Sequence, residues 1–375
     1  MDFKHAVKRE QECFAQVFDR LPVLLVKGKG SFVWDDAGRR YVDGFGGVAV
    51  SSVGHAHPKL LKAICAQAGK LMHVSNWVYS EPQITLAEKL VKLTGMERVF
   101  FNNDGAGAVE TAFKLARKHT GRKEIIAMEQ GFHGRTFGAL SATWTEKYRK
   151  PFEPLVPGFK FAKYDDIESL NATITDDTAA VIVEPIQGEA GVLVPGKDYL
   201  KQVRELTERK GVDMIVDEIQ TGFGRTGCWF EHQRYGIEPD VVVMAKGLGG
   251  GFPIGAVSYH GMDFERGQHG GTFNGSPLAC TVGNTVIDMI KKEKLVQNSK
   301  KVGDYILKEL RKKAEARGRG LMIGVPVADG KKAALECIKR GVLLIYSGNT
   351  LRILPPLNIK KSEAKIILGA VFEVL

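Results

Sequence analysis

Long apolar runs are missing: no stretch of the 375 residues approaches the roughly 18 consecutive apolar residues that a spanning helix needs. No export signal is expected either. Met1-Asp2-Phe3-Lys4-His5 carries an early acid with no apolar segment behind it, so the chain is expected to be cytoplasmic. Cysteine is sparse, and Cys13, Cys65, Cys228, Cys280 and Cys337 are scattered without any C-x-x-C. That argues against a disulfide framework and against a zinc knuckle, and no metal site is expected. Acidic residues are the minority charge, 43 against 53 Lys plus Arg, for a net +10. The basic residues do not cluster as a nucleic-acid footprint would require. Lys300-Lys301 and Arg311-Lys312-Lys313 read as solvated helix faces, so the excess suits steering of an anionic substrate or acidic partner better.

Glycine is abundant, with 43 residues where average usage of about 7% predicts roughly 26. No repeat or low-complexity linker absorbs the surplus, which therefore belongs to particular loops. Ser31 to Trp34 and Arg39 to Asp43 flank an Asp/Gly turn and read as a hairpin. Short apolar runs then recur at Val99-Phe101, Ile125-Ala127, Ala180-Val183, Met214-Val216 and Val241-Met244. Helical-length segments separate several of them, notably Ala108 to His119 and Tyr199 to Lys210. This is the pattern of α/β units around a sheet buried on both faces. Helical patterns follow over Pro277 to Lys291 and Val302 to Ala316. Leu321 to Val327, Val342 to Tyr346 and Leu351 to Leu354 read as strands, and Ser362 to Leu375 as a last helix. The expectation is a large α/β domain over 55–274 and a smaller α+β domain assembled from 1–54 and 275–375.

Three glycine clusters matter. Asn103-Asp104-Gly105-Ala106-Gly107-Ala108 lies between a strand and a helix, where free N–H groups make an anion cradle or Asp104 simply caps the helix. Gly222-Phe223-Gly224-Arg225-Thr226-Gly227 formally matches G-x-G-x-x-G. It does not open a helix, and no second strand ending in an acid follows at the right distance, so a nicotinamide cofactor is not supported. The third cluster follows Val241-Val242-Val243-Met244-Ala245-Lys246 directly, as Gly247-Leu248-Gly249-Gly250-Gly251. A lysine leaving a buried strand into a glycine run is a desolvated amine suited to imine formation. Pyridoxal phosphate would account for these observations together. It needs such a lysine, an acid for its pyridine nitrogen, a phosphate cradle and a stacking aromatic. Asp217 closes Ile215-Val216-Asp217, and Phe132 stands in Gly131-Phe132-His133-Gly134-Arg135-Thr136.

At these residues the sequence resembles the class III aminotransferases among the fold-type I pyridoxal-phosphate enzymes, most closely the N-acetylornithine aminotransferase group. The likeness spans nearly the whole chain. It includes Gly54-His55-Ala56-His57-Pro58, Phe132-His133-Gly134-Arg135-Thr136, Glu184-Pro185-Ile186-Gln187-Gly188-Glu189, Asp217-Glu218-Ile219-Gln220-Thr221-Gly222, Ala245-Lys246-Gly247, Thr272-Phe273 and Leu354-Pro355-Pro356-Leu357. The resemblance implies that Lys246 holds the cofactor as a Schiff base, Asp217 pairs with its ring nitrogen, and Phe132 stacks on the ring. It implies that Gly105 and Ala106 bind phosphate through backbone N–H groups and that Gln220 lies near the ring hydroxyl. Thr272 would reach the phosphate of a neighbouring subunit, making a homodimer the active unit. Arg135 would clamp a substrate carboxylate, and Arg352 the α-carboxylate of 2-oxoglutarate. Glu189 would neutralise Arg352 while the amino donor is bound. The implied reaction moves the terminal amino group of N-acetylornithine to 2-oxoglutarate, a step of arginine biosynthesis.

The cofactor-binding segment departs from the family's usual Asn-Ser-Gly-Ala-Glu-Ala. Asp104 puts a carboxylate where a small hydroxyl is usual, beside a dianion. Gly107 replaces a helix-favouring Glu, at about 1 kcal/mol of propensity. The alternative donors are a lysine or ornithine joined to an acidic carrier protein, as in lysine biosynthesis, free ornithine, and 4-aminobutyrate. A nucleic-acid-binding protein would leave Lys246, Asp217, Arg135 and Arg352 without a purpose.

Overall fold

The structure is a computed structural model and describes residues 1–375. The N-terminal strands β1 (Leu25–Lys29), β2 (Phe32–Asp35) and β3 (Arg40–Asp43) form an antiparallel meander, with the expected Asp/Gly turn between β2 and β3. The middle of the chain supplies β4 (Arg98–Asn102), β5 (Glu124–Met128), β6 (Phe159–Ala162), β7 (Thr178–Val183), β8 (Asp213–Asp217), β9 (Val241–Met244) and β10 (Gly255–Tyr259). These seven form one sheet in the order β4-β10-β9-β8-β7-β5-β6. The run from β6 to β9 is parallel, and β10 runs against β4 and β9.

Uninterrupted apolar runs make these strands because both faces are covered: β7, β8 and β9 are buried along their whole length. Parallel strands need crossovers: helix Gly105–Thr120 carries the chain from β4 to β5, helix Ile167–Thr173 from β6 to β7, and helix Tyr199–Lys210 between the neighbours β7 and β8. The carboxyl ends of the parallel strands therefore open on one edge of the sheet, where ligands of such folds bind.

The C-terminal part adds β11 (Arg317–Arg319), β12 (Met322–Pro326), β13 (Val342–Leu343), β14 (Ile345–Ser347) and β15 (Thr350–Ile353). β13 pairs in parallel with β3 and joins the N-terminal meander, while β11-β12-β15-β14 form a separate antiparallel sheet. A large apolar cluster links this region to the central sheet, placing Val242 and Leu248 together with Val286, Ile306, Ile323 and Ile353. Helix Pro277–Lys292 packs along helices Pro58–Ala68 and Glu81–Thr94. No helix is long and apolar enough to cross a membrane.

Two expectations need correction. Val342 to Tyr346 is not one strand. The Leu343 carbonyl accepts from Gly44 N–H and Ile345 pairs with Arg352, so the chain changes sheets around the buried Leu344. The helix expected over Val302 to Ala316 runs Leu295–Leu310, and the polar stretch after it turns, with Arg311 Nε donating to the Ala316 carbonyl, to deliver β11.

Candidate active site

Asp217 is the last residue of β8 and pairs with Val243 of β9, so it stands at the carboxyl end of the sheet. Lys246 follows just past the end of β9, in the left-handed region at φ 38°. A non-glycine residue seldom adopts that conformation, and such strain concentrates at functional sites. The Ser52 hydroxyl donates to the Gly247 carbonyl at 2.8 Å and anchors the turn. The glycine run behind it is sterically required: a Cβ on Gly249 would lie 1.9 Å from the Phe252 carbonyl oxygen. Lys246 thereby enters a cavity of about 470 Å³ shared with Asp217, Gln220, Phe132, Gly105 and Ala106. Burial pushes its ammonium pKa down, while Glu189 and Asp217 oppose that shift.

His133 donates through Nδ1 to Asp217 Oδ2 at 2.7 Å, and both side chains are buried. Ile219 N–H donates to Asp217 Oδ1 at 3.0 Å, which fixes the carboxylate plane and leaves it acceptor capacity toward the cavity. Glu184 also lines the cavity, accepting from Phe132 N–H at 2.9 Å and Gly188 N–H at 3.2 Å. Burial raises the Glu184 carboxyl to about 7, with His133 pulling it down and Asp217 pushing it up.

Helix Gly105–Thr120 points its N-terminus at the cavity. Asp104 caps it, with Oδ1 accepting from Gly107 N–H at 2.7 Å, so the carboxylate is turned onto its own helix. Such a cap contributes about 1 kcal/mol. The N–H groups of Gly105 and Ala106 find no acceptor in the chain. Gly105 permits the close approach, since a Cβ there would meet Ile219 Cδ1 at 2.8 Å.

Behind the cavity, Arg352 of β15 is 1% exposed; its Nη1 donates to Glu189 Oε1 at 2.7 Å and its Nη2 to Gln220 Oε1 at 2.8 Å. Burial would raise the Glu189 carboxyl, but Arg352 and Lys246 together hold it below its usual value. Arg135 stands at the cavity's exposed rim with its guanidinium 3.5 Å from the Tyr148 ring centroid.

Residues 14–375 match the aminotransferase class-III family. The acetylornithine aminotransferase of Methanothermobacter thermautotrophicus is 46% identical over the full length of both chains. The chain belongs to the class-III aminotransferases. A putative [LysW]-aminoadipate semialdehyde/glutamate semialdehyde transaminase of Pyrococcus horikoshii is 45% identical over 95% of this aminotransferase and 97% of its own length. Ornithine aminotransferase of Toxoplasma gondii, whose structure holds pyridoxal phosphate at partial occupancy, superposes with a TM-score of 0.95 at 33% identity, covering 99% of this chain and 93% of that one. The expected fold-type I architecture is therefore that of its structural relatives, and the cofactor of this aminotransferase is pyridoxal phosphate. The residues present fit it: a desolvated amine, two unpaired N–H groups at a helix N-terminus, an aromatic ring and an oriented carboxylate share one cavity.

The structure brings together Lys246, Asp217, Gln220, Phe132, Gly105, Ala106 and Asp104, with Arg135 at the rim and Glu189 and Arg352 joined to them through Gln220. Thr272 does not line this cavity and is exposed. His133 and Glu184 lie inside the motifs that carry the resemblance, and their roles emerge only from the fold. The signal available was position: His133 follows the stacking candidate, and Glu184 ends the apolar run of β7.

Proposed function

We propose that this aminotransferase moves the terminal amino group of N-acetylornithine to 2-oxoglutarate, giving the semialdehyde and glutamate. The observation that carries the reading is the ion pair of Arg352 with Glu189 beside Lys246. An arginine that can be neutralised by a mobile carboxylate serves two substrates of different charge in turn. The acetylornithine aminotransferase similarity over the whole chain supports the donor.

When bound, pyridoxal phosphate supplies the carbonyl that takes up the amino group and the ring that accepts the electron pair. Lys246 Nζ, whose charged form burial disfavours, removes the proton from the donor's amine-bearing carbon. In the second half-reaction it returns a proton to the α-carbon of the new glutamate. Asp217, pinned by His133 and Ile219 N–H, would keep the ring nitrogen protonated. Phe132 would cover the ring, and the Gly105 and Ala106 N–H groups would bind the phosphate. Arg135 takes the donor's carboxylate at the rim. Glu189 neutralises Arg352 during the donor half-reaction and yields it to the α-carboxylate of 2-oxoglutarate afterwards.

A second reading, with a carrier-linked lysine or ornithine as donor, draws support from the Pyrococcus relative and the net charge of +10. A donor panel of free N-acetylornithine, ornithine, 4-aminobutyrate and an acidic-carrier conjugate, assayed for glutamate at rising ionic strength, separates the two. The leading reading predicts the highest kcat/KM for free N-acetylornithine. A larger kcat/KM for the conjugate that falls steeply with salt contradicts it.

A homodimer completes the site in this reading. Thr272 adjoins Phe273, 62% exposed, and the Asn76 side chain ties the segment of Trp77 and Tyr79, 93% and 95% exposed, to Asn274. Such aromatic exposure suits a subunit contact, and sedimentation at a monomer's mass would exclude it. Five free cysteines suit a cytoplasmic location.

A further inference from the structure

Arg317 does not line the cavity around Lys246, yet it binds the backbone that carries Glu189. Strands β11, β12 and β15 set Arg317, Gly324 and Arg352 in one cross-strand row, so the two arginines rise from the same face with a glycine between them. The turn 188–192 lies on that glycine. A Cβ at Gly324 would sit 2.6 Å from the Gly191 carbonyl oxygen and 3.0 Å from Val192 Cβ. On one side Arg352 holds the Glu189 carboxylate. On the other, Arg317 Nε donates to the Gly191 carbonyl at 3.0 Å and the Val192 carbonyl at 3.2 Å, and its Nη2 donates to Thr350 Oγ1 at 3.2 Å. The Ser347 hydroxyl donates to the Glu189 carbonyl as well.

The clamped turn is strained. Gly191 has φ 88° and Val192 φ 62°, a conformation that a β-branched residue rarely adopts. Strain of that kind persists only where the surroundings over-determine it, and Arg317 bonds the carbonyls of both residues.

We propose that Arg317 is a positioning residue that sets the balance between donor and acceptor, by fixing the Gly191–Val192 backbone so that Glu189 returns to Arg352 whenever a dicarboxylate leaves. The inference rests on the reading of Glu189 and Arg352 given above. Only the Glu189 side chain moves between half-reactions, because Arg317 and Ser347 keep its backbone in place. Without Arg317 the turn relaxes, Glu189 masks Arg352 for less of the time, dicarboxylates gain and the amino donor loses.

The test uses holoenzyme carrying Arg317→Met, Glu189→Ala or both. Each half-reaction is followed in single turnover with the best donor of the panel or with 2-oxoglutarate. Binding of glutarate, an unreactive dicarboxylate, is measured by calorimetry. Arg317→Met should tighten glutarate and lower the donor-to-acceptor ratio of kcat/KM by roughly five- to tenfold, the scale of one lost hydrogen bond acting through the turn. Glu189→Ala should do at least as much, and the double variant no more than Glu189→Ala alone. Arg317→Lys, which keeps one donor, should recover part of the effect and stands in if Arg317→Met fails to fold. Equal loss in both half-reactions with unchanged glutarate affinity would overturn the role of Arg317. If Glu189→Ala itself moves neither quantity, the underlying ion-pair reading fails; if it moves both and the Arg317 variants move neither, only the present inference fails.

Discussion

Glu184 holds the Phe132 backbone to the turn that follows β7, and it does so as a buried carboxyl raised to about 7. Between its ordinary value of 4.5 and about 7 the folded protein keeps a proton that the unfolded chain releases, so this contribution to stability is present below that window and lost as pH climbs through it. Glu184→Gln imitates the protonated form. Melting curves from about pH 5 to about pH 8 should show the parent losing on the order of 2 kcal/mol relative to the variant; parallel curves would show that Glu184 does not titrate there. Asp104 invites a second test. Asp104→Ser keeps a capping oxygen, so stability should change by less than about 0.5 kcal/mol, while removing a carboxylate from beside the phosphate cradle. Cofactor loss on dialysis should slow by roughly threefold or more on the screened-charge scale. An unchanged rate would mean that the carboxylate, turned onto Gly107 N–H, is not felt at the phosphate.

At the scale of elements, β10 and helix Gly105–Thr120 meet where no side chain fits: a Cβ on Gly255 would lie 2.1 Å from the Asp104 carbonyl oxygen. Gly255→Ala should therefore cost about 1–3 kcal/mol and displace the helix N-terminus, weakening cofactor binding along with thermal stability. Loss of stability with unaltered cofactor affinity would show that the turn does not transmit the shift. The sequence was legible where burial is two-sided, at β5, β7, β8 and β9, because uninterrupted apolar runs have one explanation in a sheet of this kind. β1 and β6 are not legible because Leu25-Val26-Lys27-Gly28-Lys29 and Phe159-Lys160-Phe161-Ala162 are partly exposed edge segments whose pairing is decided by distant partners; β10 is buried throughout but Gly255 and Ser258 break its apolar run, and β11 is a three-residue Arg-Gly-Arg segment without an apolar pattern. The sheet change at Leu344 is invisible for the same reason, since both short strands are apolar. The G-x-G-x-x-G turn is structural: buried Arg225 within it donates to the carbonyls of Leu321 and Pro355, tying the central sheet to the C-terminal strands, and burial lowers its pKa to about 9. Lys246 and Asp217 could be read from their strand ends, whereas the bond of His133 to Asp217 required three-dimensional proximity across 84 residues.

For the whole molecule, the sheet order supports a division we propose as 55–274 against 1–54 with 275–375, joined by a shared apolar cluster. Domain-swap chimeras that fold only when both chain ends come from one parent would agree with it; independent folding of 275–375 would not. Glycine content acquires a place in the same frame, in the loops around Lys246 and Asp104. The central claim is two-stage amino transfer at Lys246, and one measurement addresses it most directly. Purified holoenzyme is mixed with N-acetylornithine and no acceptor, and its visible cofactor absorbance is followed before and after 2-oxoglutarate is added. The band should bleach with donor alone, return with acceptor and release one glutamate per site, and Lys246→Ala should do none of these. A parent enzyme that does not bleach, or a Lys246→Ala variant that turns over at the parent's rate, would contradict the claim.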